Sequence, residues 1–179
     1  MIHITYFVHG TTYDNEMGIS SGSFDVELSE LGVKQAKELR EQTVNKKFDA
    51  IFSSDLKRAS DSARYAFEGR APIILDKRLR ECDYGTYNGK PSTIVEPLQE
   101  KSTEKRFPEG ECYEDVKERV EDLLRFLKKE YDGKSIAIVS HKGPQLALDV
   151  LLRGKTWDEA FSEDWRKTYA WRAGWSYEL

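Results

Sequence analysis

Two histidines stand at matching places in this chain of 179 residues. His9 follows the run Ile4-Thr5-Tyr6-Phe7-Val8, and His141 follows Ser135-Ile136-Ala137-Ile138-Val139-Ser140. Both runs are apolar and rich in β-branched residues, the pattern of strands buried on both faces of a parallel sheet. Each breaks off at its histidine into a turn, with Gly10-Thr11-Thr12 after the first and Lys142-Gly143 after the second. In an open α/β sheet the groups that touch ligand lie just past the carboxyl ends of the strands. Two imidazoles from opposite ends of the sequence are therefore offered to one crevice, where imidazole can act as nucleophile, base or hydrogen-bond partner near neutral pH. One strand-end histidine alone is as readily a structural residue, whereas the repeated pattern points to chemistry.

Arg58 adds a cation. Residues 48–53 read as a strand and Ser54-Asp55 as the cap of a helix whose inner face carries Leu56, Ala59, Ala63 and Phe67, which puts Arg58 in its first turn. A helix N-terminus offers unpaired N–H groups and partial positive charge to an anion, and a guanidinium adds a planar fork suited to phosphate. Taken alone, an arginine there is more commonly half of a surface ion pair.

The elements that must position these groups alternate. Residues 13–26, with Gly18, Ser20, Ser21, Gly22 and Ser23, read as a loop over the crevice. Ser29 caps a helix with Leu31, Ala36, Leu39 and Val44 at helical spacing, and residues 72–75 form a short strand. Pro91, Pro97 and Pro108 make residues 86–110 loop-like. Tyr113, Val116, Val120, Leu123, Leu124 and Leu127 mark an amphipathic helix, and Pro144 opens a last long one that stops at Gly154. Tyr169, Trp171, Ala173, Trp175 and Tyr177 alternate with small or polar residues, which predicts a final strand with one aromatic face. Trp157, Trp165, Trp171 and Trp175 are expected in the core packing of that strand and its flanking helix, with the substrate pocket or a dimer surface as their other possible places. Strand–helix alternation means right-handed crossovers, hence an α/β fold: a three-layer α/β/α sandwich with a mainly parallel central sheet.

Bulk properties narrow the function. At 179 residues the chain suits a single domain spanning residues 1–179. With 39% hydrophobic and 34% charged residues it has a soluble balance, and a net charge of -4 gives no general attraction for nucleic acid. The first residues enter a strand directly, without a basic and apolar leader, and no apolar run is long enough to span a bilayer. A cytoplasmic location with no membrane partner is the expectation. Cys82 and Cys112 are too few for a disulfide framework and, with three scattered histidines, fit no zinc-site spacing.

Further motifs accompany the histidines. Val8-His9-Gly10-Thr11-Thr12 with Asn15 is followed by Gly22 and Asp25, Leu28-Ser29-Glu30-Leu31-Gly32 with Gln35-Ala36, and Ser53-Ser54-Asp55-Leu56 with Arg58-Ala59 and Ala63. Leu79, Glu81, Tyr84-Gly85 and Gly89 come next, then Pro108 with Gly110-Glu111, and finally Val139-Ser140-His141. In this order the motifs resemble the histidine phosphatase superfamily, which includes the cofactor-dependent phosphoglycerate mutases, over residues 4–152.

The resemblance implies a phosphomonoester hydrolase that works through phosphohistidine, without metal or other cofactor, on a small phosphorylated substrate. His9 is then the nucleophile. Arg58 and His141 hold the phosphoryl group, and Glu81 protonates the leaving alkoxide before deprotonating the attacking water. Gly10, Thr12, Asn15, Gly22 and Glu111 fall around the substrate, Asn15 as a neutral donor, while a structural role for Glu111 stays open. Two departures bear on rate. The family carries arginine before its nucleophilic histidine, where this chain has Val8; losing one charged partner costs about 1.5–3 kcal/mol, roughly ten- to a hundredfold or more in rate. The family also has glycine where this chain has Lys142, which either restores the missing charge as a point charge or points to solvent. Thr11 further replaces the family's glutamate or glutamine. A mutase is the alternative enzyme, disfavoured by the short stretch between Gly89 and Pro108, and a weakened phosphate-ligand binding protein is the alternative outside catalysis. Monomer and homodimer are both compatible with the chain.

Overall fold

The computed structural model describes residues 1–168 and 174–179. Its central sheet has five strands, β1 (His3–Val8), β3 (Ala50–Ser53), β4 (Ile73–Leu75), β6 (Ser135–Ser140) and β7 (Trp175–Glu178), in the order β4-β3-β6-β1-β7. The first four are mutually parallel, and β7 runs antiparallel on the edge beside β1. A parallel sheet needs helices on both faces. One face, carrying Ile4, Tyr6, Phe52, Ile136 and Ile138, packs under α5 (Tyr113–Glu130) and α6 (Lys142–Arg153). The other, with Phe7, Ile51, Ala137 and Val139, packs against α2 (Glu30–Gln42) and α3 (Lys57–Phe67). Successive residues of each strand thus go to opposite cores, the period of two that pleating imposes, and the three-layer arrangement is as expected.

Local signals account for most boundaries. Ser29 accepts from the Gly32 N–H and starts α2, and α5 buries all six residues of its apolar stripe. Gly154 closes α6 with φ 68. In β7, Trp175 and Tyr177 are buried between exposed Ser176 and Glu178, as the alternation predicts; Tyr169, Trp171 and Ala173 lie outside the described residues.

Four expectations are corrected. The stretch 13–26 holds α1 (Tyr13–Glu16) and β2 (Ile19–Ser20), which pairs with β5 (Lys90–Pro91). Ser54 does not cap α3: the N-cap is Leu56, and Asp25 accepts the Lys57 N–H at 2.6 Å. Leu31 is 48% exposed and Val44 lies beyond α2, because the buried stripe of that helix runs through Gly32, Ala36 and Leu39. The region expected to be loop contains α4 (Ser92–Gln99) with Pro97 inside it. Pro97 removes one helical hydrogen bond, but buried Val95 and Gln99 tie the helix down. Two further helices, α7 (Trp157–Ser162) and α8 (Trp165–Thr168), precede the edge strand.

Candidate active site

Strand register makes the site. Val8 pairs with Ser140 across the two central strands, and the His9 N–H continues the ladder to the Ser140 carbonyl at 3.0 Å. The next residue of each strand is a histidine, so the His9 and His141 rings lie side by side with centroids 5.1 Å apart, about the spacing of neighbouring strands. His9 lines a cavity of about 440 Å³, a volume suited to a small molecule.

His9 Nδ1 is 2.6 Å from the Gly10 carbonyl oxygen. A carbonyl only accepts, so the ring proton belongs on Nδ1 and the lone pair on Nε2. Burial, followed by the charge of Arg58 and, more weakly, of Arg166, holds the His9 pKa down at about 3, against a smaller upward pull from the Gly10 carbonyl. The ring is therefore neutral at ordinary pH and needs no base to become nucleophilic.

His141 is fully buried. Its Nε2 lies 2.8 Å from Ser54 Oγ, which itself accepts from the Leu56 N–H at 3.3 Å. The serine proton can then go to Nε2, leaving the imidazole proton on Nδ1, an atom with no hydrogen-bond partner among the described residues. Burial, then Arg58 and His9, keeps this ring well below its ordinary pKa. Tyr6 fixes the backbone: its hydroxyl donates to the His141 carbonyl at 2.6 Å and accepts from the His141 N–H at 3.2 Å. An orphaned buried donor costs about 1–3 kcal/mol; His141 is not among the residues lining the cavity, and its ring lies beside that of His9, which does line it.

Arg58 and Glu81 complete this wall. Arg58 is 3% exposed and donates to the carbonyls of Gly22 at 2.7 Å and Phe24 at 2.8 Å. Glu81 Oε1 accepts from the N–H groups of Cys82 at 2.8 Å and Gly143 at 2.9 Å, so Oε2 is left for proton exchange. Glycine is needed at 143, since a Cβ there would lie 2.3 Å from Glu81 Oε1.

Of the residues expected at the site, Gly10, Asn15, Gly22 and Lys142 line the cavity with His9, Arg58 and Glu81. Thr12 does not: it is fully buried and caps α1, exchanging hydrogen bonds with Asn15. Glu111 does not either. Its carboxylate pairs with Arg119 and accepts from the Asp83 N–H, while Arg119 also holds the Glu81 carbonyl at 3.1 Å. Glu111 thus braces the loop that carries Glu81, which is the structural role left open for it. Val8 lines the cavity as an apolar surface. Lys142 does not point to solvent: at 8% exposure it donates to Gln99 Oε1 at 2.7 Å and pairs with Asp164 at 3.0 Å.

Gln99, Trp165 and Arg166 also line the cavity; the pocket wall was the less favoured place for Trp165, and Gln99 and Arg166 were not legible as site residues. They come from α4 and α8, short helices with no motif around them. Trp165 was expected mainly in the core, and its Nε1 is another buried donor without a partner among the described residues.

Neutral imidazole, guanidinium and a tethered carboxylate around a cavity at the strand ends define a phosphoryl-transfer enzyme that uses histidine as its nucleophile. The comparisons give the family: the histidine phosphatase superfamily (branch 1) model matches residues 6–176, and the chain belongs to that superfamily. It is 30% identical over 166 residues to phosphoserine phosphatase 1 of Hydrogenobacter thermophilus, covering 86% of this chain and 77% of that one. A mycobacterial glucosyl-3-phosphoglycerate phosphatase structure superposes with a TM-score of 0.82 at 26% identity, over 89% and 86% of the two chains. The phosphoserine phosphatase of Entamoeba histolytica, in complex with 3-phosphoglyceric acid, gives 0.77 at 25% identity, over 90% and 85%. Membership makes the protein a phosphoric monoester hydrolase of the phosphohistidine type.

Proposed function

We propose that His9 is the phosphorylated residue and that the substrate is a small phosphorylated molecule seated in the cavity it lines. The observation that carries this is the neutral His9 ring, with Nδ1 tied to the Gly10 carbonyl and Nε2 on the lone-pair side. Nε2 attacks phosphorus, the ester P–O bond breaks, and the leaving alkoxide takes a proton from Glu81 Oε2. Water then attacks the phosphohistidine, its proton passes to Glu81, and the P–N bond breaks to give inorganic phosphate and neutral His9. Arg58 and the His141 Nδ1–H face the growing charge on the phosphoryl oxygens. Cys82, beside Glu81, is no rival nucleophile, because burial pushes its thiol well above the ordinary range.

No helix among the described residues is long and apolar enough to cross a membrane. Two free, buried cysteines suit a reducing compartment, and the cytoplasm is the location that fits them.

The test is phosphate release from a panel of monoesters that includes phosphoserine, 3-phosphoglycerate and phenyl phosphate. The native protein should release phosphate and form an acid-labile, base-stable phosphoenzyme on rapid quenching. His9→Ala should abolish both, with a loss on the order of 10⁴-fold or more. Undiminished release by His9→Ala would overturn the assignment.

A further inference from the structure

A phosphoryl group passing between oxygen and nitrogen carries negative charge on three equatorial oxygens, and catalysis consists largely of holding that charge. The strand that delivers His9 brings no cation, since Val8 presents an isopropyl group to the cavity. Arg58 is partly committed, with donors given to the carbonyls of Gly22 and Phe24. Positive charge enters from another side of the cavity. Lys142, the first residue of α6, and Arg166, in α8, both line it.

Asp164 holds the two cations together. This carboxylate is 2% exposed, with Oδ2 at 3.0 Å from Lys142 Nζ and 3.3 Å from an Arg166 guanidinium nitrogen. Glu96, at 3.9 Å, is a more distant and half-exposed second partner of Arg166. Gln99 takes a second ammonium proton of Lys142 through a neutral carbonyl, and the Phe161 ring lies 5.5 Å from the ammonium, which leaves a third donor without a hydrogen-bond acceptor among the described residues. We propose that Lys142 and Arg166, positioned by Asp164, form a cationic clamp that binds the transferring phosphoryl group and supplies positive charge that Val8 does not.

The proposal rests on the phosphohistidine reading and adds its electrostatic half. Both cations share the cavity with the reacting groups His9 and Glu81, and Arg166 adds the smallest of the downward influences on His9. The ammonium is poorly compensated, because burial and Arg166 oppose its charge more than Asp164 and Glu81 support it. A phosphate dianion would relieve that imbalance.

Steady-state kinetics on phenyl phosphate, which has no second anionic group, and on 3-phosphoglycerate test the clamp. Arg166→Met and Lys142→Met should each lower kcat/KM about ten- to a hundredfold on both substrates. Arg166→Lys should keep most of the activity, which separates loss of charge from damage to α8. Val8→Arg placed in the Arg166→Met background should recover part of the loss, by restoring a guanidinium on the nucleophile's own strand. Losses confined to 3-phosphoglycerate would overturn the clamp and make the pair a reader of a distant carboxylate. Unchanged kinetics on both substrates would reduce it to a structural ion pair. His9→Ala reports separately on the phosphohistidine reading, which survives either outcome.

Discussion

The two sides of the cavity are built by different means. His9 and His141 sit at the ends of adjacent parallel strands, fixed by backbone register, with the Tyr6 hydroxyl and Ser54 locking the second ring. Lys142 and Arg166 reach the cavity on long side chains and meet at Asp164, which itself comes from the turn before α8. Register fixes the two rings to the close tolerance that in-line attack by the proposed nucleophile demands. Charge falls off more gently with distance, so cations can be supplied by a less regular part of the chain. Geometry is thus held by the sheet, while Asp164 and Arg166 bring charge from outside it.

This contrast can be sharpened from its rigid side first. Glu81→Gln keeps the shape and removes the transferable proton, so kcat should fall about 10²–10⁴-fold with KM little changed. A comparable rise in KM would mean that Glu81 mainly binds ligand. Ser54→Ala should be milder in activity but visible in stability, because it leaves His141 Nε2 buried without its partner. A loss of about 1–3 kcal/mol is expected in denaturant unfolding, and an unchanged midpoint would show that the ring is held by its backbone alone.

The charged side should respond to pH. Burial and Arg166 lower the Lys142 pKa from 10.5 to about 8, against the pull of Asp164 and Glu81. Above that pH the ammonium loses its charge, so kcat/KM should decline through an alkaline limb centred near 8. Lys142→Arg should move the limb out of range, since guanidinium stays protonated; a limb that persists unchanged would break the link. Stability should move in the opposite sense. Between about pH 8 and 10.5 the unfolded chain holds the Lys142 proton and the folded chain does not, so this residue's contribution to folding stability rises with pH across that window. A small upward drift of the native urea midpoint relative to Lys142→Met is the expected sign.

The sheet and its strand-end histidines were legible because continuous apolar, β-branched runs have few other uses, and because each run stops abruptly. Arg58 was legible through its place in a helix's first turn, although the cap there comes from distant Asp25 and not from Ser54. α4 was not legible, because Pro97 argues locally against helix and only buried Val95 and Gln99 outweigh it. Asp164 and Arg166 carry no local pattern at all: their meaning arises when the turn before α8 is folded against Lys142, some twenty residues earlier in the chain. Long-range ion pairs of this kind leave no periodicity to read.

The hydrogen bonds from Arg58 to the carbonyls of Gly22 and Phe24 bear on how such an enzyme can be altered. The same loop contributes Ser20, Ser21 and Gly22 to the cavity wall, so the segment that would be exchanged to accept a new substrate also anchors the arginine proposed to hold the phosphoryl group. Because those contacts use backbone carbonyls, side chains along the loop can be varied with the anchor intact. Insertions or deletions would shift the arginine as well. Selectivity in this protein is therefore open to stepwise substitution but resistant to wholesale loop grafting.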